Sequence, residues 1–215
     1  MTNVYGSPEK LPMKTWLFKT AIRALENEGW TVDKEKGSGK SSVRRISNKK
    51  MSMLVSIRTS QDSWIAFPRL DDDSGWRTLS EVDAVVAVSV DNKLEPRFAK
   101  VHLIDGEEMR DRFDRAYSAR KNAGYTIPIG RGVWVSLYET EANEPVTLVG
   151  AGAGLKFPPI LVVPIKDSDR IEAKPIENES TIPPVDEPLT ISEAKRRLAV
   201  TFGVSEANIK ITVEA

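Results

Sequence analysis

Three stretches carry residue types that could do chemistry. Gly39-Lys40-Ser41 has the ending of a phosphate-binding loop, in which a glycine-rich backbone wraps the phosphates and a lysine reaches them. The complete loop needs a glycine at position 34, where this chain has Lys34. The residues after Ser41 also read as strand, not as the helix whose N-terminus would hold the phosphate. Asp71-Asp72-Asp73-Ser74-Gly75 gathers consecutive acids. Consecutive side chains seldom converge on one ion, and calcium-loop spacing does not follow, so a surface turn is expected and no metal site. Third, Val55-Ser56-Ile57-Arg58-Thr59-Ser60 sets Ser56 and Arg58 side by side on one face of a strand.

The run from Lys36 to Lys50 is basic throughout: Lys36, Lys40, Arg44, Arg45, Lys49 and Lys50, with no acid among them. It reads either as a solvated hairpin or as a phosphate-contacting surface, which needs Lys and Arg clustered on one face. Gly150-Ala-Gly-Ala-Gly154 imitates a nucleotide-binding glycine loop, but Pro158-Pro159 follow where the helix should begin. A flexible connection or close backbone packing is expected there, and no cofactor is implied.

The totals exclude several chemistries. The chain has no cysteine, so disulfides, thiolate metal sites and a cysteine nucleophile are ruled out. Its one histidine, His102, rules out a histidine-based metal cluster and would have to serve any Ser-His-Asp triad; inside a strand it reads as structural. Lys+Arg and Asp+Glu are both 31, so the overall charge does not mark a nucleic-acid binder and leaves only a local patch. No apolar run approaches the ~20 residues that span a bilayer. MTNVYGSPEKLP lacks the basic start and apolar core of a signal peptide. A cytoplasmic protein with no membrane partner is expected.

The elements that must position these residues follow from periodicity. Lys14–Glu28 reads as a helix, with Phe18, Ala21, Ile22 and Leu25 at helical spacing and Gly29 as its stop. Trp30–Val32, Ser42–Ile46, Met51–Arg58, Trp64–Phe67, Ala84–Val90, Ala99–Ile104 and Gly132–Tyr138 read as strands. Alternation along Met51–Arg58 puts Met51, Met53, Val55 and Ile57 on one face and Ser52, Leu54, Ser56 and Arg58 on the other. The near-continuous apolar run Ala84–Val90 predicts a buried central strand. Thr78-Leu-Ser-Glu81 and Asp105-Gly-Glu-Glu108 match helix N-caps. The second opens a helix to about Asn122, whose Arg110, Arg112, Arg115 and Lys121 are expected on a solvated, salt-bridged outer face. Residues 166–188, rich in Pro, Glu and Asp, read as a linker. Residues 189–215 read as a helix–strand element too small to bury its own apolar face, and so as a docking element for self or a partner.

The order helix, strand, strand, strand, buried strand, strand, helix over roughly residues 13–124 resembles the restriction-endonuclease-like fold of the PD-(D/E)XK nuclease superfamily. Ala24-Leu-Glu-Asn-Glu-Gly-Trp30 is similar to the end of the first helix of Mrr-type members. Val55-Ser-Ile-Arg-Thr-Ser60 resembles the family's third strand, usually Ile-Glu-Val-Lys-Thr-Ser. Val82–Val88 and Ala99–Ile104 resemble the later strands. The resemblance implies an α/β core: a central mixed sheet flanked by helices. It also implies that Ser56 and Arg58 stand where the catalytic Glu and Lys would be, and Ser42–Arg45 hold no acid in place of the second-strand Asp. Serine alone is a poor magnesium ligand and arginine does not accept a proton at neutral pH. A degenerate site without catalytic residues or metal is the expectation.

The domain reading is therefore a nuclease-like core at 13–139, a sheet extension or Gly/Pro-rich connection at 140–165, the linker at 166–188 and the docking element at 189–215. The functional reading is a prokaryotic protein, more binder than enzyme, contacting nucleic acid such as DNA through Lys40, Arg44, Arg45, Lys49, Lys50 and Arg58. The alternatives are a protein–protein interaction or assembly module, and an active metal-dependent nuclease using a migrated acid such as Asp62 or Glu81.

Overall fold

The computed structural model describes residues 10–35, 42–128 and 130–165, together with Lys195 and residues 208–210. The chain divides into two units, Met1–Pro175 and Ile176–Ala215, and the helices and strands named below lie in the first. The expectations for Gly39-Lys40-Ser41 and for the linker fall outside the described residues. So does the helix–strand element, apart from Lys195 and residues 208–210.

The architecture is α/β, with a mixed sheet flanked by helices. Helix α1 (Lys10–Asn27) leads into an antiparallel meander of β1 (Thr31–Lys34), β2 (Val43–Ser47) and β3 (Ser52–Ser60). Gly29, at φ 84°, ends α1 with its amide bonded back to Glu26 and the next amide to Leu25. The side-chain carbonyl of Asn48 accepts from the amides of Lys50 and Met51 at 2.9 and 3.0 Å, which fixes the β2–β3 turn. The chain then leaves the sheet through β4 (Trp64–Pro68) and a single turn of helix at Leu79–Glu81, and returns as β5 (Ala84–Val90). β5 runs parallel to β3, and β6 (Phe98–Asp105) runs antiparallel to β5. Helix α2 (Gly106–Asn122) follows, then β7 (Gly132–Ser136), the short helix α3 (Ala153–Lys156) and β8 (Leu161–Pro164). The large sheet has the order β1-β2-β3-β5-β6-β8, and β4 and β7 form a separate two-stranded sheet. Of the strand expected over Gly132–Tyr138, Gly132–Ser136 forms, and in the second sheet. No helix among the described residues is long and apolar enough to cross a membrane.

All seven residues of β5 are buried because both of its faces are covered. Val86, Val88 and Val90 pack with Leu17, Ala21, Ala24 and Leu25 of α1. Val85 and Ala87 pack on the opposite side with Phe67, Val133, Val135, Met109 and Phe113. Two layers of core therefore lie on either side of one sheet, α1 covering the first and the β4–β7 sheet with α2 covering the second.

Helix α2 begins as its cap predicts: the Asp105 carboxylate accepts from the Glu108 amide at 3.0 Å. Its basic residues correct the sequence reading. Arg112 is buried, pairs with Glu108 at 2.8 Å and donates to the carbonyls of Gly150 and Ala151. Arg110 donates to the carbonyls of Leu79 and Val82 at 3.1 and 3.0 Å, and the buried Arg120 to those of Ala116, Trp134 and Thr147. These carbonyls need donors, and a guanidinium supplies several in one plane. Arg115, paired with Asp111 and Glu141, and Lys121, beside Asp73, do form the salt-bridged outer face expected. The capping box at Thr78 is not formed. Thr78 has φ 78° and makes no side-chain cap bond, and the Ser80 hydroxyl accepts from the Trp76 amide instead.

The glycine run at 150–154 is a close-packed turn. Gly150 has φ 82°, and a Cβ there would meet the Arg112 carbonyl, while one on Gly154 would sit 2.7 Å from the Tyr138 ring. Gly124 shares the left-handed backbone (φ 81°) with nothing within 4 Å of its Cβ position. Gly150→Ala should therefore cost about 2 kcal/mol or more, and Gly124→Ala about 1 kcal/mol, as read by urea-unfolding midpoints. Equal losses would show that backbone conformation, not packing against α2, decides Gly150.

Candidate functional site

β3 lies inside the sheet, between β2 and β5, and its side chains alternate as the sequence predicts. Val55 and Ile57 join the α1-side core, while Ser56 and Arg58 point under the second sheet. Ser56 stands opposite Val43 on β2 and Val85 on β5 and is 0% exposed. Its hydroxyl is buried without a hydrogen-bond partner. Arg58 is half-buried, its guanidinium 4.2 Å from the centre of the Phe67 ring, which β4 lays across this face. The two residues are brought together on one face, as expected, but that face is packed core and not a cleft.

The nearby acids are engaged locally. Asp62 accepts from the Ser60 hydroxyl at 2.7 Å and the Trp64 amide at 2.9 Å, closing the turn into β4. Asp83 accepts from the Leu54 amide at 2.7 Å. Glu81 is exposed at the end of the single helical turn. The acidic run is a turn: Asp71 pairs with Arg77, Asp72 binds Ser74, and Asp73 binds both Arg69 and the Tyr117 hydroxyl. Arg69 in turn lies between the rings of Trp76 and Tyr117, at 4.7 and 4.4 Å. Among the described residues no group of three or more His, Asp and Glu could hold a metal ion.

The basic residues fall in three places. Lys49 and Lys50 are exposed at the β2–β3 turn. Arg44 faces α1, its guanidinium 5.0 Å from the Phe18 ring and bonded to the Val43 carbonyl at 2.7 Å. Arg45 points to the other face, where Glu35 grips it through two bonds of 3.0 and 3.1 Å. Glu35 raises the Arg45 pKa through its hydrogen bond and charge, and Asp83 adds to this. Arg58 shares the face of Arg45, one strand over. Lys40 lies outside the described residues.

The sequence reading missed a buried polar chain on that same face. The Ser89 hydroxyl is 2.6 Å from the Tyr138 hydroxyl, which is 2.9 Å from His102 Nε2, and His102 Nδ1 is 2.7 Å from the Phe157 carbonyl. A carbonyl only accepts, so a neutral His102 carries its proton on Nδ1 and accepts at Nε2 from Tyr138, whose oxygen accepts from Ser89. The chain ties β5, β6 and the segments after β7 and α3 into one unit. One signal was available, since Ser89 is the sole polar residue in AVVAVSV and a buried hydroxyl needs a partner.

Burial pushes the His102 pKa down, and the Lys100 ammonium adds to this; the Phe157 carbonyl acts the other way. Burial likewise raises the Tyr138 pKa, with Asp91 contributing. No protein-family model, curated protein or solved structure matches the chain. Because the His102 pKa is lower folded than unfolded, its contribution to stability is complete above the unfolded value of about 6.5 and declines as pH falls below it. Urea midpoints should fall between pH 7.5 and 5.5 for the wild type, and stay flat over that window in a less stable His102→Gln variant. A wild-type midpoint that holds or rises would contradict the assignment.

Proposed function

We propose that this protein is a binding protein on a catalytically degenerate, restriction-endonuclease-like core, and that it contacts nucleic acid through the cations around its β2 strand. The observation that carries the reading is Ser56. The resemblance puts it at the family's catalytic Glu; it is buried under β4 and β7, and Arg58 beside it stacks on Phe67. The order of α1, the β1-β2-β3 meander and a strand parallel to β3 supports the nuclease-like description. Lys and Arg around a strand that carries Ser56 in place of an acid suit a phosphate backbone, where affinity comes from cations and not from a coordinated ion.

An assembly role is the second reading, favoured by Phe98 and Val162. These are 41% and 48% exposed and share one face at the β6–β8 edge of the sheet. A gel shift with duplex DNA at 50 and 200 mM salt separates the readings. Nucleic-acid binding predicts a complex at the lower salt, weakened about tenfold or more at the higher, and no plasmid cleavage with magnesium or manganese. No complex at 50 mM salt contradicts it. Cleavage lost in Asp62→Ala or Glu81→Ala would instead establish an active nuclease.

A further inference from the structure

The second sheet has an inner and an outer face. Ile65 and Phe67 of β4 and Val133 and Val135 of β7 point inward and are buried. Alternation therefore turns Trp64, Ala66 and Trp134 outward. Trp134 stands opposite Ala66, so Trp64 is its diagonal neighbour on the paired strand. Trp134 is 51% exposed and Trp64 partly so, and neither belongs to a core cluster. Trp76 shows the contrast: it is buried, and its indole N–H donates to Asp114 at 2.8 Å. Indoles left open on a sheet face suit a partner chain, because one side chain offers a large rigid contact.

Trp64 also lines a crevice of about 220 Å³, together with Asp62, Asp91 and Lys93. The crevice lies beyond the carboxyl ends of the parallel strands β3 and β5, the place where open α/β sheets hold their ligands. Asp62 and Asp91 each give one oxygen to turn amides. The other Asp62 oxygen faces the Lys93 ammonium at 3.9 Å, beyond hydrogen-bond distance, and the Lys93 side chain is 72% exposed. Two carboxylates therefore stand against one loosely held ammonium. Glu95 and Arg97, exposed on the same β5–β6 hairpin, offset each other in charge.

We infer that this face binds an extended basic peptide segment of a partner protein. A lysine or arginine side chain of the segment enters the crevice, between Asp62 and Asp91 and against Trp64, and its apolar residues lie on Trp134 and Ala66. Charge complementarity selects the cation. A phosphate would meet two carboxylates there, and among the described residues no third carboxylate or histidine joins them to hold a metal ion. The indole works with the carboxylates, because the face of its π system attracts a cation. Lys93 already sets an ammonium at the mouth, and the incoming cation displaces it. The inference is independent of the nucleic-acid reading above, whose cations lie around β2.

The test is fluorescence anisotropy of labelled octapeptides with the full chain at low salt. Two probes alternate lysine or arginine with proline, and a third alternates glutamine with proline as the neutral control. Proline keeps the probes extended. Asp62→Asn/Asp91→Asn keeps side-chain oxygens for the turn amides and removes both charges, and Trp134→Ala leaves the inner face intact. Thermal melting confirms that each variant is folded. A basic peptide should bind the wild type, and the glutamine peptide, the double variant and Trp134→Ala should each show a loss of about fivefold or more. Glu107→Gln/Asp111→Asn changes the acids at the start of α2, by the other end of β5, and should bind like the wild type. Binding of neither basic peptide, equal binding of the glutamine peptide, or wild-type affinity in Asp62→Asn/Asp91→Asn or Trp134→Ala overturns the inference. So does a loss confined to Glu107→Gln/Asp111→Asn, which moves the peptide to those acids. Self-association that both Trp134→Ala and Lys49→Gln/Lys50→Gln abolish would make a second copy the occupant and overturn it as well. Single-stranded DNA binding lost in Trp134→Ala, with no peptide bound, would put bases on the indoles and overturn it too.

Discussion

β3 and β5 run side by side in the same direction, and a chain cannot make that pairing through a tight turn. It must leave the sheet after Ser60 and cross back before Ala84. The excursion supplies β4, and β4 pairs with β7 to build the second sheet. Ile65 and Phe67 from β4, with Val133 and Val135 from β7, fill the space above Val43, Val85 and Ala87. The segment that makes the crossover, paired with β7, thus covers the face on which Ser56 and Arg58 lie. With β4 and β7 packed there, that face is closed core in this fold.

Closing the face with irregular segments creates a second requirement, because their carbonyls and hydroxyls enter the interior and must be bonded. Two devices meet it. Arg110, Arg112 and Arg120 along α2 bond carbonyls of the helical turn before β5, of β7 and of the 147–151 segment. The chain from Ser89 through Tyr138 and His102 to Phe157 anchors the segments that follow β7 and α3. Both work inward from α2 or the sheet, so cations that look like a solvated face in one dimension are structural in three.

Much of the frame was legible in the sequence because it follows from local rules. AVVAVSV announced a strand covered on both faces, Asp105 announced a helix start, and alternation in Met51–Arg58 assigned Ser56 and Arg58 to one face. What escaped depends on which segments meet. Arg112 is a helix-surface residue until Gly150 packs against it. Arg44 and Arg45 look like one basic cluster until strand register sends them to opposite faces, beside Phe18 and beside Glu35. Thr78 has the residue types of a capping box, but its left-handed backbone prevents the cap. Tyr138 and His102 lie 36 residues apart in sequence and meet only through the fold.

The claim on which the account turns is that the Ser56 position is sealed. The chain has no cysteine, so a single Ser56→Cys substitution introduces the only thiol, of nearly the same size. Its reaction with a thiol reagent under native conditions, with Lys50→Cys as the exposed reference, reads accessibility directly. The account predicts that Cys at position 56 stays unreacted until the protein unfolds, while Cys at position 50 reacts at once. Reaction at position 56 as fast as at position 50 would mean an open cleft and would contradict it.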